Sequence, residues 1–428
     1  MRRFLLLAGL VYLLLLAGLV LVDGRVLALA LPLVVYLATA LIFAPGDAEL
    51  EVTRSLSDDR VHGGKQVVIR LGITNQGSSL EQILVQDLPP ERLRIVEGES
   101  EALTSLRPGE TIELEYSVQA VRGSHVFRDV RVTASDALGL FRREVVYSVP
   151  EKLSVLPDVL RLRRLPIRPL RTRGYAGPVP ARQGGSGIDF FGVREYQTGD
   201  RQRWINWRIS ARHPHALFTN EFEQERIADV GLILDARSRS SIDSGGDSLF
   251  EHSIRATAAL AAAFLNDGNR VGLLVYGRLL DWTLPGYGKV QRERILQSLS
   301  RAETGESRIF DSLTYLPTRF FPAKCQLVLV SPLSLEDLPM LIRLRAQGYQ
   351  LLVVRPDPIA FEVAALPPRP EVVLAERIVR VERLLLLRKL QQAGIQVVDW
   401  SVDQPFDQVV HASLGRQTTW HRGIGMAG

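Results

Sequence analysis

At 428 residues, 46% hydrophobic and 23% charged, the chain is long enough for about three domains and too apolar to be mainly disordered. Its 34 glycines and 23 prolines follow no strict period, which excludes collagen-like fibres, and its one cysteine, Cys325, excludes a disulfide framework and a cysteine-rich zinc module. A net charge of +5 is too small to imply nucleic acid, and a mean hydropathy of +0.06 fits a few membrane spans joined to a large soluble part.

Residues 1–46 read as a transmembrane hairpin. Phe4 to Val22 is 19 residues without a charge, about 28 Å as a helix, and Val26 to Ala44 is a second such run containing Pro32. Asp23, Gly24 and Arg25 separate them, so the helices are expected antiparallel. The second apolar run argues against a cleaved signal peptide. Arg2 and Arg3 favour the cytoplasm for both ends, which makes the expected location the cell membrane with the soluble domains cytoplasmic.

Residues 47–150 read as short strands. Gln66–Thr74, Thr111–Val121 and Val126–Val132 alternate apolar and polar residues, separated by turn signals at 62–64, 75–77 and 107–110. The spacing suggests an immunoglobulin-like β-sandwich serving as a spacer or interaction module.

Residues 151–228 form a basic linker followed by an arginine- and tryptophan-rich motif. Arg161 to Arg173 holds six arginines and no acid. Such a run reads as a solvated linker, with an anionic lipid contact as the sharper option. From Gly184 the chain reads GGSGIDFFGVREYQTGDRQRWINWRISARHPHALFTNEFEQE. Asp200 is placed to cap a helix from about Arg201, on which Trp204, Trp207 and Ala211 would share a face. Arg201, Arg208 and Arg212 would line a neighbouring stripe. A strand over Ala216–Glu225 would then set Glu221, Glu223 and Glu225 on one side. Asp189, Arg194, Glu195, Tyr196, Asp200, Arg203, Trp204, Trp207, Arg212, Glu221 and Glu223 are therefore the candidate site, either docking two domains or binding a partner. The three glutamates oppose a nucleic-acid reading.

Residues 229–428 alternate strand and helix patterns. Strands are expected at 230–234, 271–276, 326–330, 350–354 and 395–400, with helices at 248–266, 289–301, 336–346 and 377–392. Such a series implies a doubly wound α/β sheet whose ligands would sit at the carboxyl ends of the strands.

The segment GIDFFGVREYQTGDRQRWINWRISAR, its acidic strand and VGLILDA resemble the bacterial domain of unknown function 58 (DUF58) family, as does SDALGLFRREV at Ser135–Val145. The resemblance implies a protein without a settled activity that works with a MoxR-type AAA+ ATPase in assembly or activation of envelope-associated clients. The LILDARSRS stretch also resembles a von Willebrand factor A domain, whose metal motif is Asp-x-Ser-x-Ser. Asp235 matches its aspartate, but Arg237 and Arg239 stand at the serine positions, with Ser238 and Ser240 shifted by one, and Ser331-Pro332 stands where a later aspartate falls. Two arginines there oppose a dication, so the expectation is a degenerate domain without metal. Magnesium on Asp235, Ser238 and Ser240, serving a metal-dependent hydrolase or adhesion module, is the alternative.

Phosphate-loop, dinucleotide and nucleophile-elbow motifs are all missing, and Gly63-Gly64-Lys65 lacks the other phosphate-loop residues. His213 and His215, split by Pro214, read as a turn. Asp243 and Asp247 read as solvated. The sequence thus points to a non-catalytic membrane-anchored scaffold, with lipid and an AAA+ ATPase as its expected partners.

Overall fold

The structure is a computed structural model that describes residues 2–22, 24–42, 49–135, 141–163, 165, 172–173, 179–213, 215–307, 310–367 and 369–415. The chain divides into two compact units, Met1–Leu156 and Pro157–Gly428.

The first unit opens with α1 (Arg2–Leu21) and α2 (Gly24–Ile42). Both are long and apolar enough to cross a membrane. Only 11% of each span is buried, which separates them from core helices of a soluble domain. Their approach is close at Gly18, where a Cβ would lie 2.8 Å from Leu27 Cγ. Asp23 and residues 43–44 of the expected hairpin lie outside the described residues.

Among the described residues nine strands follow: β1 (Leu50–Leu56), β2 (Arg60–His62), β3 (Gln66–Asn75), β4 (Leu80–Asp87), β5 (Arg94–Gly98), β6 (Glu101–Leu106), β7 (Thr111–Gln119), β8 (Gly123–Ser135) and β9 (Arg142–Leu156). They form two sheets, ordered β1-β3-β7-β5 and β2-β9-β8-β4-β6. Period-two alternation along β3 buries Val67, Ile69, Leu71 and Ile73. Leu71 and Ile73 join Ile83, Val85, Val130 and Val132 of the other sheet, so the inner faces meet as a sandwich. Inside it the Arg54–Asp87 salt bridge is fully buried at 2.5 Å, and the Tyr116 hydroxyl donates to Asp87 at 2.8 Å.

The second unit contains β10 (Thr172–Arg173), β11 (Val179–Glu195), α3 (Trp207–Ser210), β12 (Phe218–Ala236), β13 (Asp243–Ser244), β14 (Asp247–Ser248), α4 (Leu249–Asn266), β15 (Arg270–Gly277), β16 (Leu280–Gly286), α5 (Gly288–Arg301), β17 (Gln326–Val330), α6 (Leu338–Ala346), β18 (Gln350–Pro356), α7 (Pro358–Ala365), α8 (Pro370–Gln392), β19 (Gln396–Trp400) and α9 (Phe406–Gly415). The main sheet runs β16-β15-β12-β17-β18-β19, parallel except for the antiparallel edge strand β16.

Both faces of this sheet are covered. Ile233, Leu327, Leu329, Leu351 and Val353 pack with Leu341 and Leu344 of α6 and Leu386 and Leu390 of α8. The alternate residues Leu232, Leu234, Val328 and Val330 are buried as well, and α4 lies against the strands that carry them. β12 runs unbroken through residue 228, where the sequence pattern sets a boundary. The Arg/Trp motif and the α/β sheet therefore share one strand.

Candidate functional site

The Arg/Trp motif sits at the end of an antiparallel ribbon. β11 pairs with the first half of β12, with register shifts between Ala181 and Gly184, Gly185 and Phe190, and Phe190 and Gly192. Asp189 falls within one of these shifts, and Glu223 lies opposite Gly184. The segment joining the strands is pinned by Tyr196 N donating to Leu217 O at 2.7 Å and Asn206 N donating to Phe218 O at 2.8 Å.

That segment is not the single helix expected from Arg201. A short 3-10 turn covers Gln202–Trp204, Ile205 is extended and bridges to Thr219, and α3 then restarts for four residues. Pairing with β12 wins over helix propensity at Ile205. Asn206, not Asp200, caps α3 by accepting the Ile209 N–H at 3.1 Å.

The two tryptophans consequently part. Trp204 is half-buried, its ring 5.5 Å from that of Phe222, with the Arg201 and Arg203 guanidiniums 5.1 and 5.8 Å from its centroid. Trp207 is 67% exposed. Arg203, Arg208, Ala211 and Arg212 are exposed as well, so the shared face of Trp204, Trp207 and Ala211 does not form.

Asp200 has a different task. Its carboxylate accepts a fork from Arg194 at 2.8 and 2.7 Å and the Gln197 N–H at 2.8 Å. The Arg194 fork, helped by the Gln197 amide, holds its pKa below the ordinary aspartate value. Arg194 Nε lies 3.5 Å from Glu221 Oε1, and the Tyr196 hydroxyl donates to Asp200 O at 3.4 Å. Arg194, Tyr196, Asp200 and Glu221 therefore form one cluster at the base of the segment, while Glu195 is exposed beside it.

The other end of β12 reaches the carboxyl edge of the sheet at Asp235. Its carboxylate accepts Arg237 Nε at 2.8 Å, Arg237 Nη2 at 2.7 Å and the Ser331 hydroxyl at 2.6 Å. The same guanidinium donates to Asp337 at 2.8 and 3.1 Å and to Asp311 O at 3.2 Å. Both carboxylates and the guanidinium are buried. Burial alone would lower the Arg237 pKa, but its hydrogen bonds to Asp235 and Asp337 carry it above the ordinary value.

Among the described residues, the hydrogen bonds to Asp235 come from Arg237 and Ser331, not from Ser238 or Ser240, the remaining candidate ligands. Ser238 opens a 3-10 turn and lines an open depression of about 570 Å³ with Arg239, Asp311, Leu333 and Ser334, whereas the Ser240 hydroxyl is buried with no hydrogen-bond partner among the described residues. Arg239 donates to Ser334 at 2.6 Å. Asp247 is paired with His252 at 2.6 Å rather than merely solvated. Among the described residues, no three His, Cys, Asp or Glu side chains converge as a metal group.

A second ionic cluster at this edge was not legible in the motifs: Arg355 and Arg383 face Asp357 and Asp399 at the ends of β18 and β19. Asp337 had one local signal, the Ser334-x-x-Asp337 capping box. Its arginine partner lies 100 residues away, beyond the reach of spacing.

Of the other sequence candidates, Asp136–Leu140, Arg164, Arg168, Arg171 and Pro214 lie outside the described residues. Arg163, at the start of the basic run, pairs with Asp407 at 2.8 Å.

Residues 192–363 match the family model described as "Protein of unknown function DUF58". The "Uncharacterized protein YeaD" of Bacillus subtilis is 26% identical over 234 residues, 53% of this chain and 56% of that protein. The chain thus spans about half the length of that curated relative. The CARDB domain of the PF1109 protein from Pyrococcus furiosus aligns with 26% of this chain and 97% of its own at 16% identity and a TM-score of 0.18. The cupredoxin domain of amoB from Nitrosocaldus yellowstonii aligns with 25% of this chain and 86% of its own at 7% identity and a TM-score of 0.18. Scores this low carry no argument about fold or function.

Proposed function

Because residues 192–363 are a DUF58 region, we propose that the chain is a membrane-anchored, non-catalytic scaffold that recruits a partner protein through its Arg/Trp segment. Trp207 carries this reading. A tryptophan 67% exposed on a four-residue helix, beside exposed Arg203, Arg208 and Arg212, keeps most of its surface out of its own fold. Tryptophan and arginine are the side chains that most often anchor protein interfaces. The family resemblance makes a MoxR-type AAA+ ATPase the partner to test.

In this reading α1 and α2 cross the membrane as a hairpin, with Arg2 and Arg3 setting the soluble units in the cytoplasm. The sandwich is an immunoglobulin-like spacer. The α/β unit is a doubly wound von Willebrand factor A-like domain whose metal position is taken by a side chain. The Arg237 guanidinium between Asp235 and Asp337 supports that assignment, since it supplies the positive charge two buried carboxylates need. It also weighs against a metal-dependent hydrolase.

The test is affinity capture of the full chain from native membranes, with Trp207→Ala alongside. Retention of the ATPase by the parent chain and its loss from an equally abundant variant is the expected result. Equal capture by both defeats the role of Trp207, and stoichiometric magnesium held through dialysis would restore the hydrolase reading.

A further inference from the structure

The longest helix of the second unit, α8, has its fully buried side chains only in its last third. Leu386 and Leu390 are buried, and Val372, Glu376, Arg383 and Leu387 are partly so. On another face the apolar side chains stand outward: Leu374 is 61% exposed, Ile378 57%, Val381 57% and Leu384 55%. At about 100° per residue, these four with Val373 and Leu385 fall in an arc of about 140°, turned away from Leu386 and Leu390. Helical apolar stripes of this width ordinarily face a core.

The charges on the helix decide what covers the stripe. The arc contains two charged residues, Arg377 and Arg388, both exposed. Arg380 borders one edge, ion-paired to Glu376, and Lys389 borders the other with Glu371. Glu382 lies farther round. Two copies packed stripe to stripe would bury Arg377 and Arg388 in the seam with no carboxylate in the arc to meet them. A bilayer surface avoids this cost. The apolar side chains enter the headgroup boundary while the long arginine stems lift their guanidiniums to lipid phosphate.

We infer that α8 is an interfacial helix that lies on an anionic lipid bilayer through Val373, Leu374, Ile378, Val381, Leu384 and Leu385. This rests on the reading of α1 and α2 as the membrane anchor, which keeps the bilayer within reach. A tethered domain needs only a weak second contact to stay on the surface, because its association is no longer bimolecular. The cations in and beside the stripe favour anionic over zwitterionic lipid.

The full chain, reconstituted in nanodiscs, tests this with an environment-sensitive thiol fluorophore on single cysteines. Cys325 is buried and its thiol is pushed up to about 12 by that burial, so it stays unlabelled. Labels go on Ile378→Cys in the stripe, on Glu382→Cys outside it and on Leu13→Cys in α1. With brominated acyl chains as quencher, strong quenching is expected at 13 and 378 and little at 382. Quenching at 378 should weaken severalfold when phosphatidylglycerol is replaced by phosphatidylcholine, or in the Arg377→Glu/Arg388→Glu variant. Quenching at 13 without quenching at 378 overturns the inference alone. Efficient crosslinking between copies through position 378 overturns it in favour of a second chain. An unquenched label at 13 removes the anchor reading as well.

Discussion

The guanidinium of Arg237 meets the carboxylate of Asp337 at 2.8 and 3.1 Å across 100 residues of sequence. With Asp235 on its other side, it makes a buried carboxylate–guanidinium–carboxylate bridge that ties the end of β12 to the start of α6. Removing it leaves two buried anions facing each other. Arg237→Ala should lower stability by about 3–5 kcal/mol, seen as a melting temperature about 10 °C lower. Adding Asp235→Asn and Asp337→Asn to the same chain should recover part of the loss, and no recovery would mean the bridge is not what fails.

The same bridge makes a prediction about metal. In the parent chain the space between Asp235 and Asp337 already holds a cation, so millimolar magnesium or manganese should leave the melting temperature unchanged. Arg237→Ser vacates it and leaves two carboxylates near the Ser331 hydroxyl, hard oxygen ligands for such ions. That variant should become metal-stabilised, by about 2.7 kcal/mol when the ion is at 100 times its dissociation constant. A parent chain that itself gains stability from metal would contradict the filled-site reading.

The two tryptophans of the motif should separate in experiment. Trp207→Ala removes an exposed side chain and should change folding stability by no more than about 0.5 kcal/mol, while costing about 2 kcal/mol or more of partner binding. Trp204→Ala removes the half-buried ring tilted against Phe222 and lying under two guanidiniums, so it should lower the melting temperature directly. Melts and capture assays on both variants give the comparison, and equal destabilisation would remove the case for a recruiting surface.

Asp200 supplies a pH dependence. Its folded pKa is depressed by Arg194, so the stability it contributes is present above its unfolded value, about 3.9, and is lost as pH falls through the lower folded value. The loop at Gln197–Asp200 should resist proteolysis by an acid-active protease at pH 5 and yield once the pH falls below the ordinary aspartate range. Asp200→Asn should be sensitive at both, and an unchanged profile in the variant would exclude the Arg194 fork as the cause.

Legibility followed the range of the interactions. The core strands 326–330 and 350–354 and the helix from Leu249 could be read from apolar runs because burial on both faces leaves a continuous signal. The edge strand β16, only partly buried and carrying Pro285, left none. The helix expected at Arg201 failed at Ile205, where a bridge to Thr219 overrides local propensity. Arg237 stood out as a misfit in a metal motif, yet what it does depends on Asp337, and no local pattern joins residues that far apart. Arg194 and Asp200, six residues apart, were within reach of the sequence.

β12 is 19 residues long, about 60 Å at the usual rise of a strand. Its first half is a two-stranded ribbon ending at the segment that bears Trp207, and its second half is clamped between β15 and β17 up to Leu234, the residue before Asp235. Extended backbone stretches little, so a tug on Trp207 along the ribbon is delivered as tension to the sheet interior rather than absorbed in a slack linker. A motor gripping that segment would have a handle fixed to a strand whose second half is buried in the sheet, and the Arg237 bridge, at the far end, is the latch that such a pull would load.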